Sequence, residues 1–487
     1  MAHKTNDHSA ILASAPSLES RIYGCWMGKS IGGTLGLPVE GKLGPLSLTF
    51  YDPVPTIAPP NDDLELQLVW LDLIEKSESG RLTADDFGRG WLRHIHYMWD
   101  EYGRCRWNLR RGVPATEAGA FENPFHAGMG SPIRSEIWAC LFPDDPASAA
   151  YYAGLDASLD HGVEGIAGEV LFAFMQSRVA AGAPVEEAIR EALRIIPASS
   201  ETARAVEQVM DGHRRGVEMW ESRKQLLQKH DNANFTHAPL NVALAIWALL
   251  YGEGDFGKSI LLSTNAGYDT DSTAATVGAT IGLAIGIDGI PARWKAPIGD
   301  GVYLGPGIKD LDDAPTTLKE LTRRVAAAIG RLERKTIDEI PWHPAGTTKL
   351  ETLPGTLRMR AHGEAKDFAW ANGELSEAVK RAGGGQWEWP VNDGLPRNIV
   401  CLAANGARLF FNDSEILRCE AGLPYVTATH RCPEGSRVLM TPGPGVHRMR
   451  IELDSSDPRQ EATVLLAYED LHICPWTAEE LPHRARL

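Results

Sequence analysis

Two short polar segments carry the residue types that could bind a divalent cation. One follows a pair of prolines and the other precedes an apolar segment, and together they contain Asn61, Asp62, Asp63, Asp269, Asp271 and Ser272. Helix capping accounts for one polar residue in each segment, and an acid beyond the cap adds only about 0.3 to 1 kcal/mol through the helix dipole. Four carboxylates with an amide and a hydroxyl oxygen form the hard-oxygen set that Mg²⁺ or Mn²⁺ selects. We therefore predict that the two segments meet and share two divalent cations, which would balance four buried charges.

The elements that must bring these segments together contain small residues at every fourth position. One row is Gly24, Gly28, Gly32 and Gly36, continued by Glu40, and the other is Ala274, Gly278, Gly282 and Gly286. Residues four apart share one face of a helix, so each helix has a ridge without side chains. Glycine costs about 1 kcal/mol per helix-interior position relative to alanine, which close packing must offset. We predict two such helices at the centre of a helical bundle, the second over residues 273 to 287.

The sequence pattern changes once along the chain. From residue 17 to 345 the apolar residues follow helical spacing, as in LNVALAIWALLYG. From 346 to 487, turn residues separate short alternating runs, namely NIVCLAANG, RLFFND, GLPYVTATH, HRMRIELD and EATVLLAYEDL. We predict an all-α domain over 17–345 followed by a smaller all-β, sandwich-like C-terminal domain over 346–487. The second domain could mediate dimerisation, cover the rim of a site, or bind a glycan or a partner.

The composition is typical of a soluble globular protein. The chain has 487 residues and a net charge of −16, and this acidic balance disfavours nucleic acid as a partner. No segment reaches the roughly 18 to 20 apolar residues that a membrane span needs, and the N-terminus lacks the apolar core of a signal peptide. Seven separated cysteines without a C-x-x-C pair fit a reducing compartment. We expect a cytoplasmic protein that binds neither a membrane nor nucleic acid.

Five segments, in order along the chain, resemble the ADP-ribosylglycohydrolase family over residues of about 20 to 330. They are GCWMGKSIGGTLGLPVEG (24–41), PNDDLELQLVWLDLIEK (60–76), MGSPIRSEIWACLFPDDP (129–146), LDHGVEGIAGEVLFAFM (159–175) and NAGYDTDSTAATVGATIGLAIGIDGIPARW (265–294). Any one segment is a weak signal, whereas five in the family's order are a strong one. The resemblance implies an all-α domain with a centre of two Mg²⁺ ions, for which Mn²⁺ could substitute.

The resemblance also implies roles for individual residues. The metal ligands would be Asn61, Asp62, Asp63, Asp269, Asp271 and Ser272. The residues implied in catalysis are Glu40, Asp62 and Asp271, of which Glu40 matches an acid that lies near the scissile ribose in some members. The residues that match positions in contact with the ADP-ribose ligand are Gly130, Ser131 and His161. Either Glu40 or a metal-bound aspartate would orient the attacking water as general base.

The chain departs from the family pattern at two places. It has Asn61-Asp62-Asp63-Leu64 where Thr-Asp-Asp-Thr is common, and Met129 where the family often has Asn. An Asn amide oxygen can replace a Thr hydroxyl as a neutral ligand, so the first change is compatible with metal binding. The loss of a polar group at Met129 affects the identity of the substrate instead.

The leading hypothesis is a Mg²⁺-dependent glycohydrolase that cleaves an N- or O-ribosyl bond of the ADP-ribosyl type with metal-activated water. Its substrate would be a small molecule or a ribosyl group attached to a protein. Two alternatives remain open. One is hydrolysis of a nucleoside or another small N-glycoside at the same metal site, and the other is a non-catalytic protein of the same fold that binds a ligand like ADP-ribose. The C-terminal domain could in addition form an oligomer.

Overall fold

The structure is a computed structural model that describes residues 15–342 except 98, 111, 122, 124 and 233. In the C-terminal part it describes residues 358–361, 367–369, 375, 377–391, 394, 396–421, 435–460 and 462–468. The boundary predicted near residue 345 and the predicted strand GLPYVTATH lie outside the described residues. Within the described part of the chain, no helix combines the length and the apolar character that a membrane crossing requires.

The predicted all-α domain is confirmed. Its helices are α1 (Leu18–Gly36), α2 (Asp62–Lys76), α3 (Ala84–His94), α4 (Asp100–Arg110), α5 (Glu136–Leu141), α6 (Pro146–Ala157), α7 (Val163–Ala180), α8 (Val185–Leu193), α9 (Glu201–Arg214), α10 (Met219–His230), α11 (Ala238–Tyr251), α12 (Phe256–Asn265), α13 (Thr270–Gly289), α14 (Ala292–Lys295) and α15 (Leu318–Ala328). Short turns of 3-10 helix lie at Leu37–Val39, Pro132–Arg134 and Ile337–Glu339. The apolar faces of these helices bury one continuous core.

Helices α1 and α13 lie in direct backbone contact along the two predicted rows of small residues. A Cβ atom added at Gly28 or Gly32 would lie less than 3.0 Å from the backbone of Gly278 or Ala274. Real Cβ atoms do not approach backbone atoms so closely, so only glycine fits at these positions. The second row ends differently from the prediction, because Gly286 has a φ of +70° and α13 kinks there. The close contact that the glycine spacing predicts is present as far as this kink, because a Cβ atom at Gly24 would lie 2.8 Å from Gly286 C.

The starts of α2 and α13 bring polar residues to one end of this central pair. Asn61 caps α2, and its Oδ1 accepts a hydrogen bond from Asp63 N at 2.8 Å. Helix α13 begins at Thr270 rather than at the predicted residue 273, and Asp269 precedes it. Thr270 Oγ1 donates a hydrogen bond to Gly36 O at 2.8 Å, which ties the start of α13 to the end of α1. Both acidic segments therefore lie beside the turn that follows α1.

The described residues of the C-terminal part form antiparallel strands, as predicted, and one short helix, α16 (Glu377–Arg381). The strands are β1 (Arg358–Ala361), β2 (Asp367–Ala369), β3 (Gly384–Val391), β4 (Arg397–Ala403), β5 (Ala407–Phe411), β6 (Ser414–Cys419), β7 (Arg437–Met440), β8 (Gly445–Leu453) and β9 (Ala462–Tyr468). They form a six-stranded sheet in the order β2-β1-β3-β8-β5-β6 and a three-stranded sheet in the order β7-β4-β9. Trp387 and Trp389 from the first sheet share an apolar core with Ile399 and Val464 from the second. The core of this part is therefore built from both sheets.

The C-terminal strands pack against α4 of the helical domain. Trp107 on α4 is buried in the core of the strand region, and the guanidinium of Arg397 lies 5.6 Å from the centre of the Trp107 ring. Phe125 forms a second apolar cluster with Val400 and Leu402 of β4. The strands thus support a helix whose first turn lines the cleft described next.

Candidate metal centre and ligand cleft

A cleft of about 320 Å³ lies where the start of α2, the start of α13 and the turn after α1 meet. Most of the residues singled out from the sequence line it, namely Glu40, Asn61, Asp62, Gly130, Asp269, Asp271 and Ser272. The two acidic segments touch, because Asn61 Nδ2 lies 3.3 Å from Asp271 Oδ2 although the two residues are 210 positions apart. The opposite wall comes from the first turn of α4 and from Met129.

Three carboxylates form a compact cluster in this cleft. Glu40, Asp269 and Asp271 each offer one oxygen, and these oxygens all lie within 4.8 Å of one another. Asp62 lines the cleft beside them, and its Oδ2 accepts a hydrogen bond from Tyr102 Oη at 3.1 Å. Asp269 and Asp271 are buried, whereas Glu40 is only half-buried. Of these four acids, Asp269 and Asp271 are therefore the buried pair, and Glu40 and Asp62 are the two half-buried ones.

The electrostatics of the cluster fit a divalent cation. Burial raises the pKa of Asp62 to about 7, and the nearby charges of Asp271 and Glu65 add to this effect. Burial also raises the pKa of Asp269 well above its ordinary value, with Asp271 again contributing. Like charges held this close in a buried site disfavour ionisation unless positive charge is added. An all-oxygen set of carboxylates is also the donor set that Mg²⁺ and Mn²⁺ prefer.

Asp63 and Asn61 are placed differently from the other predicted ligands. Asp63 does not line the cleft, and its nearest cation is Lys29, whose Nζ lies 3.5 Å from Oδ1 and 3.1 Å from Glu136. Burial raises the pKa of Asp63, and Lys29 opposes that effect. The Asn61 side-chain oxygen already accepts the hydrogen bond that caps α2. Lys29 was not anticipated from the sequence, although a lysine on a glycine-rich central helix requires a buried partner.

An aromatic wall, formed by Tyr97, Trp99 and Tyr102, faces the acidic cluster and was not anticipated from the sequence. The rings of Tyr97 and Trp99 are 4.4 Å apart between centroids, and Trp99 stacks on Tyr102 at 6.4 Å. Tyr97 Oη donates a hydrogen bond to Glu65 Oε2 at 2.6 Å, which fixes the ring. Aromatic faces of this kind can pack against a base or the apolar face of a sugar. These residues come from a segment with no motif, so spacing alone could not identify them.

The three residues expected to contact a ligand lie at different depths. Gly130 lines the cleft, whereas Ser131 and His161 are fully buried and do not. His161 lies between two acids, with Nδ1 2.9 Å from Asp160 and Nε2 3.4 Å from Glu101. Glu101 lines the cleft in front of it. His161 therefore reaches the cleft only through Glu101.

The charge of His161 makes the stability of the protein depend on pH. Burial disfavours the imidazolium, but attraction by Asp160 and Glu101 outweighs burial and raises the pKa to about 9. A raised pKa stabilises the folded state below the unfolded value of about 6.5, and this stabilisation is lost as pH rises through 9. At about 1.4 kcal/mol per pKa unit, we expect the free energy of unfolding to fall by about 3 kcal/mol more in the native protein than in His161→Asn between pH 6 and pH 10. Urea unfolding at both pH values measures this, and parallel profiles would contradict the prediction.

Comparison with known proteins agrees with the resemblance seen in the sequence. The sequence model of the family described as "ADP-ribosylglycohydrolase" matches residues 14–335. An uncharacterized protein of Archaeoglobus fulgidus is 26% identical over 328 residues, which cover 63% of this chain and 99% of that protein. A solved structure described as an "ADP-ribosylglycohydrolase-related protein complex" is 20% identical, with a TM-score of 0.44, and the match covers 65% of this chain and 98% of that one. Because the family match extends over almost the whole helical domain, the chain belongs to the ADP-ribosylglycohydrolase family.

Proposed function

We propose that this protein is a Mg²⁺-dependent glycohydrolase that cleaves an N- or O-ribosyl bond of the ADP-ribosyl type. Family membership supports hydrolase activity in general. The observation that carries the proposal is the cluster of Glu40, Asp269 and Asp271 with Asp62 at one end of a cleft of about 320 Å³. A cleft of this size can hold a drug-sized ligand.

We further propose that the protein works in the cytoplasm, where its buried cysteines would stay reduced.

The residues that would hold Mg²⁺ are the three acids of the cluster, Asp62 beside them, and Ser272, whose side chain hydrogen-bonds to Asp269. They are Glu40, Asp62, Asp269, Asp271 and Ser272. Two bound ions, with Mn²⁺ as a substitute, would lower the pKa of a water molecule and hold hydroxyl groups of the ribose. Asn61 and Asp63 would lie behind these ligands and would not bind the ions themselves, since Asn61 caps α2 and Asp63 pairs with Lys29.

Glu40 is the side chain best placed to orient the attacking water. It is half-buried, whereas Asp269 and Asp271 are buried, and general bases contribute about 10² to 10⁴ in rate. We expect Glu40→Gln to lower kcat by about 10² to 10⁴ while the amide oxygen keeps part of the metal affinity. Steady-state kinetics together with a Mg²⁺ titration of thermal stability tests this. An unchanged kcat would remove Glu40 from the mechanism.

A substrate panel tests the proposed function directly. The purified protein is incubated with ADP-ribosyl-arginine, ADP-ribosyl-serine and free nucleosides, in Mg²⁺ and in EDTA, and released sugar is quantified. We expect turnover of at least one ribosyl compound in Mg²⁺ and none in EDTA. Turnover that is equal in EDTA would overturn the metal dependence. Stoichiometric binding by calorimetry without any product would favour the non-catalytic alternative.

Hydrolysis of a nucleoside or another small N-glycoside is the second candidate. Among the described residues, those that line the cleft include no lysine, arginine or histidine. Met129 and the aromatic wall are also part of the lining, so one side of the cleft is apolar. Both features favour an uncharged ring over a polyphosphate, and turnover of nucleosides alone in the panel would support this candidate.

A further inference from the structure

The carboxylate of Glu101 lies in a cradle built for an anion. Gly130 N donates a hydrogen bond to Oε1 at 3.1 Å, and His161 Nε2 lies 3.4 Å from the same oxygen. Glycines form the sides of this cradle, because a Cβ atom at Gly128 would lie 2.7 Å from Glu101 Oε1 and one at Gly130 would lie closer still. The fit leaves no space for a second anion between these groups and Glu101.

The groups that face the Glu101 carboxylate are the Gly130 N–H and the His161 imidazole. His161 is fully buried, and Asp160 holds its imidazole from the other side at 2.9 Å. Asp160 also pairs with the buried guanidinium of Arg134 at 2.7 Å. A charged imidazole and a backbone N–H aimed at one point form charge-assisted hydrogen bonds to a carboxylate or phosphate oxygen. In this chain the carboxylate of Glu101 is the anion that these groups contact.

Glu101 also belongs to the wall of the cleft. Its side chain is 10% exposed, and it lines the cleft next to Tyr102, whose Oη lies 3.1 Å from both Asp62 Oδ2 and Gly130 O. The cradle is therefore connected to the acidic cluster through one tyrosine. A ligand bound at the cluster would meet the outer side of the Glu101 carboxylate.

We propose that Glu101 is a specificity-determining residue that fills the anion cradle of the cleft and thereby selects glycosides without a phosphate group at this wall. The inference rests on the proposed function in its second form, hydrolysis of a nucleoside or another small N-glycoside, and narrows that substrate class. A phosphate at this position would meet a carboxylate instead of the Gly130 N–H, and like charges in contact are strongly disfavoured. A hydroxyl or a protonated nitrogen of the substrate would instead donate a hydrogen bond to Glu101.

Inorganic phosphate is the probe for the first test, which needs no turnover. Binding is measured by ³¹P NMR titration of the full chain in Mg²⁺, and again in EDTA to separate phosphate held by metal. We expect weak binding to the native protein and affinity at least about tenfold higher for Glu101→Ala, in both conditions. Asp100→Asn is the matched control, since it removes one charge from the same helical turn and the same cleft without emptying the cradle. Equal affinity of the native protein and Glu101→Ala, or an equal gain in Asp100→Asn, would overturn the proposal.

Two further variants keep this test decisive. Glu101→Ala combined with His161→Asn should lose the gain in phosphate affinity, because the imidazole is part of the cradle. Glu101→Gln keeps an acceptor for Gly130 N–H and so covers the case in which the alanine variant does not fold. In Glu101→Gln the imidazole of His161 loses one negative neighbour, so its pKa, followed by NMR, should fall. An unchanged pKa would show that Glu101 and His161 do not interact.

The second test uses turnover and separates this inference from the proposed function. The specificity constant kcat/KM is measured for a nucleoside and for its 5′-phosphate. We expect the native protein to prefer the nucleoside, and Glu101→Gln to raise KM for the nucleoside and to reduce the preference by about tenfold or more. An unchanged preference would remove Glu101 from substrate selection. If no glycoside is cleaved at all, the proposed function fails, whereas the phosphate titration still decides what occupies the cradle.

Discussion

Replacing Gly32 by alanine is expected to lower the free energy of unfolding by about 3 kcal/mol or more. The added Cβ would overlap with the backbone carbonyl group of Ala274 on the neighbouring helix. A backbone atom cannot move aside as a flexible side chain can, so α1 and α13 would have to separate. Because these helices are the centre of the domain, their separation would disturb packing on both sides. Urea unfolding of the two proteins measures the difference.

Gly33→Ala is the matched control, since Gly33 is the next residue of the same helix. Its added Cβ would meet only Asn61 Nδ2 at 3.2 Å and Ala275 Cβ at 3.8 Å. Alanine is also favoured over glycine within a helix by about 1 kcal/mol. We therefore expect the stability of Gly33→Ala to lie within about 1 kcal/mol of the native value. If both variants were equally destabilised, the row of small residues would not be the reason for the loss.

The central helix pair could be predicted because small residues recur at every fourth position in both helices. Glycine inside a helix lowers the stability of the helix relative to alanine. A glycine at every fourth position therefore predicts close packing that offsets this loss, and the spacing is visible in the sequence. The start of α2 could be predicted for a similar reason, since Asn61 has the side chain that caps a helix. Gly286 is the exception in the row, because its positive φ places it at a kink. Spacing alone does not reveal that Gly286 permits a kink in addition to the close contact with Gly24.

The environment of each site residue could not be predicted in the same way. Asp62 and Asp63 are adjacent in the sequence, yet Asp62 faces the cleft and Asp63 faces Lys29. The difference arises because neighbouring residues in the first turn of a helix point about 100° apart. His161 could be matched to a ligand-contacting position, but its burial behind Glu101 depends on where α4 places that residue. The position of α4 is fixed by long-range packing, including its contact with the C-terminal strands.

Replacing Asp271 by asparagine is expected to abolish the stabilisation of the protein by Mg²⁺. At a free concentration one hundred times the dissociation constant, a bound ion stabilises the folded state by about 2.7 kcal/mol. Asp271 contributes one of the three clustered oxygens, so its loss should remove this gain together with metal-dependent activity. In EDTA, where no ion is bound, we expect the substitution to have the opposite effect on the stability of the protein. Asp271 raises the pKa of both Asp62 and Asp269 by repulsion, so the variant without metal should be at least as stable as the native protein.

Asp288→Asn is the control for this experiment, because it makes the same change of charge on the same helix. Asp288 is exposed and lies beyond the kink at Gly286, at the opposite end of α13 from Asp271, so its loss should leave the response to Mg²⁺ intact. Thermal unfolding of the native protein and both variants, each in EDTA and over a Mg²⁺ titration, supplies all the comparisons. Full Mg²⁺ stabilisation in Asp271→Asn would exclude this residue as a ligand. Destabilisation of the same variant in EDTA would instead indicate that Asp271 holds the fold through its hydrogen bonds, and that repulsion among the buried acids is weaker than their positions imply.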